Sequence, residues 1–212
     1  MKVKKTIWFP LGLGSILGLL SFVSSAADFL IPIGFSGGAT GPHEIALIIS
    51  ASLGGPLGLF IAGLLHELGI YHYIYKPHFS PGQILSTGVL FAIADFAAHI
   101  LALLTIAYCY RFLHQRAKKV SIFVAGWILI VAIYYSLLVL LQSLLIRIVF
   151  PDLPPVSALF QDFFPEFQVV LIITTLILLA LPEKYRKPQW YEPKQTQNQN
   201  GGISDELPEG VQ

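Results

Sequence analysis

One stretch limits what this chain can fold into. Residues 42–75, PHEIALIISASLGGPLGLFIAGLLHELGIYHYIY, are apolar almost throughout and are interrupted at Gly54-Gly55-Pro56. Proline lacks the backbone donor that a helix uses, and its ring collides with the preceding turn, whereas glycine accepts the dihedrals of a sharp reversal. The stretch therefore reads as two apolar helical arms, 43–53 and 57–75, meeting at a corner. The second arm carries His66 and Glu67 and ends in Tyr71-His72-Tyr73-Ile74-Tyr75, the aromatic density expected where a helix leaves a bilayer.

Further apolar runs follow the same logic. Residues 7–27, 82–112, 120–149 and 166–181 are long and poor in charge, most of them beyond the ~18 residues that suggest a membrane span. Of the 212 residues, 55% are hydrophobic and 12% charged, against roughly 25% charged in soluble domains. The expected fold is an all-α polytopic membrane helical bundle of five or six segments in contact with the lipid bilayer. An open sheet is excluded because its edge groups would find no water in hydrocarbon, and the runs lack the alternation of barrel strands.

Residues 1–187 form the expected membrane domain, and 188–212 read as a disordered cytoplasmic tail too short and polar to bury a core. The start, MKVKK before an apolar run and Ser25-Ala26-Ala27, reads either as a first span or as a cleavable signal peptide; the uncleaved span is favoured. A net charge of +1 argues against nucleic acid as a partner, and the single cysteine, Cys109, excludes an internal disulfide.

Basic residues gather in three places, 2–5, 111–119 and 184–187, and acids mark the 151–165 loop at Asp152 and Asp162. Cytoplasmic loops carry the excess of Lys and Arg. Only a chain that enters and returns over residues 42–75 brings all three basic segments to one side. That reading places both termini in the cytoplasm of a bacterial cell, with the protein in the cytoplasmic membrane. The first arm is only about half of a ~20-residue span, so it is either re-entrant or fully crossing.

Polar groups within the apolar runs are the functional candidates. Gly54, Gly58, Ala62 and His66 repeat at four-residue steps, a small-residue stripe that lets helices approach closely. Asp95 and His99 share a helix face with Gly88, Ala92 and Ala102 and can bond each other at i,i+4. The helix after it adds Tyr135, Gln142, Ser143 and Arg147, and Arg147 reads either as a snorkelling interfacial cation or as a clamp for an anion. With the orientation above, His66, Glu67, Asp95, Arg147 and Glu166 all fall between mid-membrane and the outer side, and His43 and Glu44 start the first arm at that same side. We therefore expect a polar pocket for a small-molecule ligand there, with His66, Glu67, Asp95, His99, Arg147 and Glu44 as its binding residues. Position 70 is isoleucine, so His66-Glu67 does not complete HExxH and a zinc protease is rejected. His66, Glu67, Asp95 and His99 could ligate a divalent metal, but without close multi-His spacing no metal or cofactor is assigned. Ser136 and Ser143 lie in no nucleophile motif, and no enzyme activity is expected.

Ser52-Leu-Gly-Gly-Pro-Leu-Gly58, then Ala62-Gly63 and His66, resemble the five-transmembrane receptor domain of LytS-type bacterial sensor kinases over about residues 42–182. That resemblance implies a membrane domain that receives a small ligand and relays to a kinase. The family's Asn-x-Arg ahead of the corner is Pro42-His43-Glu44 in this chain, and no kinase domain follows Lys187. The corner is also similar to that of substrate-binding subunits of energy-coupling-factor vitamin transporters, small bundles typically of six helices. The expectation is a receptor-like sensor of a small extracytoplasmic solute that signals through a separate partner, for which a kinase is the candidate. The alternatives are a transporter subunit, with transporter partner subunits, and a non-catalytic membrane scaffold.

Overall fold

The computed structural model describes residues 3–26, 31–32, 39–40, 42–75, 87–148, 151, 156–188 and 190. Helix α1 (Val3–Ala26) leads to two-residue antiparallel strands, β1 (Ile31–Pro32) and β2 (Ala39–Thr40). Then come α2 (Pro42–Gly69) with a π-helical end at Ile70–Tyr75, α3 (Val89–Arg116), α4 (Val120–Ile146), α5 (Val156–Ala180) and the single turn α6 (Glu183–Arg186). Ile7–Ser24, Pro42–Tyr73, Val89–Arg116 and Val120–Leu145 are long and apolar enough to cross a membrane, and Phe164–Ala180 is a shorter apolar helix. The expected polytopic helical bundle is what forms.

Helix α2 is two arms, not one rod. Gly55 sits inside it at φ 63° and ψ −158°, a region open essentially to glycine alone. The rings of His43 and His66 lie with centroids 4.9 Å apart. At about 1.5 Å per residue, a straight helix would separate them by about 35 Å. The chain doubles back at the Gly-Gly-Pro corner, and the arms touch where a Cβ on Gly58 would come within 3.3 Å of Ser50 Oγ.

The small-residue stripe of the second arm is buried against α1. A Cβ on Gly14 would stand 2.5 Å from the Gly58 carbonyl oxygen, one on Gly18 would stand 2.9 Å from Ala62 Cα, and one on Gly69 would stand 3.0 Å from Phe22 Cα. Numbers rise together along both helices, so they run parallel in backbone contact. On the other flank, Gly63 receives Ile100 of α3, and Phe60 meets Phe96 edge to face.

Helices α3 and α4 run antiparallel. Gln142 pairs with Asp95 at one end, while Leu113 packs on Gly126 and Tyr110 on Trp127 at the other. The core joins both arms to them through fully buried Leu47, Ile48, Leu59, Leu103, Ile106, Trp127, Val131, Tyr134 and Leu138. Leu64, Leu101, Leu129 and Leu176 are exposed on their helices, the faces that lipid would cover.

Two boundaries differ from the sequence reading. Helix α3 continues through Arg116, so most of the basic segment 111–119 is helix end, and only 117–119 connects α3 to α4. Helix α5 begins at Val156 and runs through Pro165, where a loop to 165 is expected. Proline removes one backbone donor, and the apolar residues Phe160, Phe163, Phe167 and Val170 carry helical spacing across it in the sequence. Of the expected disordered tail 188–212, only Pro188 and Trp190 are described; residues 189 and 191–212 lie outside the described residues.

A buried His and carboxylate cluster at one end of the bundle

Folding back at Gly55 puts the start of the first arm beside the end of the second. Glu44, 3% exposed, stands at the centre of what gathers there. His99 Nε2 of α3 lies 3.1 Å from Glu44 Oε1, and Tyr134 of α4 donates its hydroxyl to Glu44 Oε2 at 2.6 Å. The other ring nitrogen of His99 faces the Asp95 backbone carbonyl at 3.1 Å and its Oδ1 at 3.4 Å. Gln142 donates to that same Oδ1 at 2.9 Å. The first arm of the hairpin and two further helices thus close one polar network.

Histidines form its second layer. The His43 and His66 rings stack at an interplanar angle of 20°, and His66 meets His99 edge-on at 5.6 Å. His66 Nδ1 lies 2.9 Å from Ser21 Oγ, which ties α1 to the cluster. Helix α5 contributes Glu166: one ligand-capable atom each from His43, Glu44 and Glu166 lie within 4.8 Å of one another. His43 and Glu166 are half-buried, so the cluster reaches the protein surface on their side.

Of the six residues expected to bind ligand, Glu44, His66, Asp95 and His99 are brought together. Glu67 is 7% exposed and lies within electrostatic reach of Asp95 and His99; neither of its carboxylate oxygens has a hydrogen-bond partner among the described residues. Arg147 stands exposed just past the end of α4. The sequence reading passed over Tyr134 and kept His43 and Glu166 out of the binding set. A tyrosine pair within an apolar run was the available signal. Tyr135, one residue on, packs instead on Phe167.

Burial of this many titratable groups needs a compensating arrangement. An isolated charge in hydrocarbon is expensive, and such groups pair with one another or line a functional path. Direct bonds do this for Glu44, Asp95 and His99. The same geometry suits binding of something small, because the Glu44 and Glu166 carboxylates and the His43 imidazole converge from two helices.

The opposite end is chemically different. Arg111, His114, Lys118, Lys119, Arg186 and Lys187 surround an open cavity of about 680 Å³ with Glu183. Arg186 donates to the Leu179 and Leu181 carbonyls, capping α5, and Tyr110 donates to the Arg186 carbonyl. The hairpin tip points this way: the Trp190 ring lies against Gly55 and also meets Tyr108 and Arg111.

No family model, curated protein or solved structure matches this chain. The functional reading therefore rests on the site.

Proposed function

We propose that this integral membrane protein is a receptor-like sensor. It binds a small solute at the His and carboxylate cluster from the extracytoplasmic side and passes the occupancy to a separate partner. The observation that carries this reading is Glu44, buried at a helix start and bonded to His99 and Tyr134 from two other helices. A ligand that displaces either bond moves α3 or α4 relative to the hairpin. Those helices run to the basic end, about 28 Å away for residues 95 to 114 at about 1.5 Å per residue. Local chemistry at one face is thereby linked to helix ends at the other, where a cytoplasmic partner would dock.

The positive-inside bias supports the orientation: Arg111, Arg116, Lys118, Lys119, Lys184, Arg186 and Lys187 share the end opposite the cluster. A cysteine placed at Lys118 is expected to label only from the cytoplasmic side. Labelling from outside would overturn both the orientation and the extracytoplasmic site. The resemblance to sensor-kinase receptor domains fits this reading.

A substrate-binding transporter subunit is the second reading, favoured by the hairpin itself, which brings the count of membrane segments to six. Purification from native membranes separates the two. A co-purifying kinase supports sensing, and an ATPase pair with a coupling subunit supports uptake. The site reading is tested by a solute screen with thermal shift, in which Glu44→Gln abolishes whatever stabilisation the wild type shows. An unchanged shift in that variant removes Glu44 from the site.

A further inference from the structure

We infer that the cluster holds a divalent first-row transition-metal cation, with one imidazole nitrogen of His43 and one carboxylate oxygen each from Glu44 and Glu166 as its ligands. This names the ligand class of the site proposed above and rests on that reading.

Three observations lead here. The three ligand atoms lie within 4.8 Å of one another although Glu166 is on a different helix from the other two. Ligands bound at about 2.0–2.2 Å to one ion stand at most about 4.4 Å apart, so a slight side-chain rotation closes the site. The donor set is mixed imidazole and carboxylate, which suits zinc, manganese, iron, cobalt or nickel, whereas magnesium and calcium prefer oxygen alone.

Support behind the ligands is the second observation. Tyr134 holds one oxygen of Glu44 and His99 stands at the other, an arrangement that orients a ligating carboxylate. The His66 ring stacks on His43 and fixes its plane. Such outer partners are what distinguish a built site from acids that merely lie close.

Charge is the third. The buried Glu44 and the Glu166 of another helix bring two carboxylates and the His43 imidazole within 4.8 Å of one another. A dication offsets that concentration of carboxylates where water cannot screen it. The half-buried His43 and Glu166 form the way in, and three protein ligands leave at least one position for water or an anion.

The test uses the full chain in detergent micelles without a histidine tag, titrated with Co²⁺ and Zn²⁺ alone. We expect saturable binding of one Co²⁺, with visible d–d absorption and a raised thermal midpoint. His43→Gln and Glu166→Gln lose the absorption and at least tenfold in affinity while circular dichroism and gel filtration stay unchanged. Tyr134→Phe keeps the ligand set and weakens binding by roughly 10–100-fold. Affinity falls as pH is lowered, because protons compete for the imidazole and carboxylates. Should the ligand variants fail to fold, cobalt-edge X-ray absorption on the wild type decides. Imidazole scattering in a mixed N/O shell supports the site, and an all-oxygen shell overturns it. Absence of saturable binding, or affinity unaltered in both glutamine variants, also overturns it. If metal binding fails while a non-metal solute gives a thermal shift lost in Glu44→Gln, the cation is wrong and the solute site stands. If neither binds, both fall.

Discussion

The two ends of this bundle treat charge in opposite ways. At the cluster end, Glu44, Asp95 and His99 are buried, and each bonds to groups on other helices or on its own turn. At the basic end, Lys187 and Glu183 are 3.9 Å apart with side chains 60% and 79% exposed. A buried charge must be matched by specific partners, because removing one leaves the other desolvated and uncompensated. An exposed charge is screened by water and salt, and its position matters mainly for orientation in the membrane. The buried charges at one end therefore hold helices together, while the exposed charges at the other chiefly record topology.

The contrast breaks most readily at Glu44. Glu44→Ala strips the acceptor from both His99 and Tyr134 and is expected to lower stability by about 3–5 kcal/mol, read by thermal denaturation or steric trapping in micelles. Lys187→Ala at the other end, an exposed position, should lower stability by less than about 1 kcal/mol. Equal effects at the two sites would remove the distinction.

Backbone positions sharpen it next. Gly55→Val forces a side chain into a glycine-only conformation and into the Trp190 ring, with a loss of about 1–3 kcal/mol from the backbone alone. A Cβ on Gly12 in α1 would meet nothing within 4 Å among the described residues, so Gly12→Ala should instead stabilise by about 0.5–1 kcal/mol through helix propensity. Adding Trp190→Ala to Gly55→Val relieves the collision but not the backbone strain, and a full rescue would show that the corner needs no positive φ.

Within the cluster, Tyr134→Phe is expected to cost much less than Glu44→Ala. Hydrogen bonds between membrane helices contribute about 0.6 kcal/mol on average and up to about 1.7. A double-mutant cycle with Glu44→Gln should return a coupling in that range. Zero coupling would place Tyr134 outside the network.

Much of the fold was legible before any tertiary information. Apolar run lengths located the long spans, and Gly54-Gly55-Pro56 located the reversal, since only that corner reconciles the basic segments with one side. The Gly54, Gly58, Ala62 stripe declared a close helix contact, but not that Gly14 and Gly18 of α1 supply its other half. At residues 151–165, Pro165 and two acids read as loop, yet apolar spacing carried the helix from Val156 through the proline. Local composition weighs each residue by itself, whereas a helix in a bundle is decided by the face it can bury.

The candidate site was half visible. Ionisable residues in apolar runs stand out because their burial is costly, which singled out Glu44, His66, Asp95 and His99. Arg147 satisfied the same criterion from just beyond a helix end and lies exposed. Tyr134 did not stand out, since a tyrosine is ordinary in a membrane helix until its hydroxyl is seen on Glu44.

By itself, the sequence determined that this chain partitions into lipid as helices and must turn back on itself once within them, because backbone groups and charges have few tolerable places in hydrocarbon. Only the tertiary structure decided which polar groups meet. Partners drawn from residues 21, 44, 99, 134 and 166 share no spacing along the chain, and helix rotation and register, set by glycine contacts and core packing, bring them to one point.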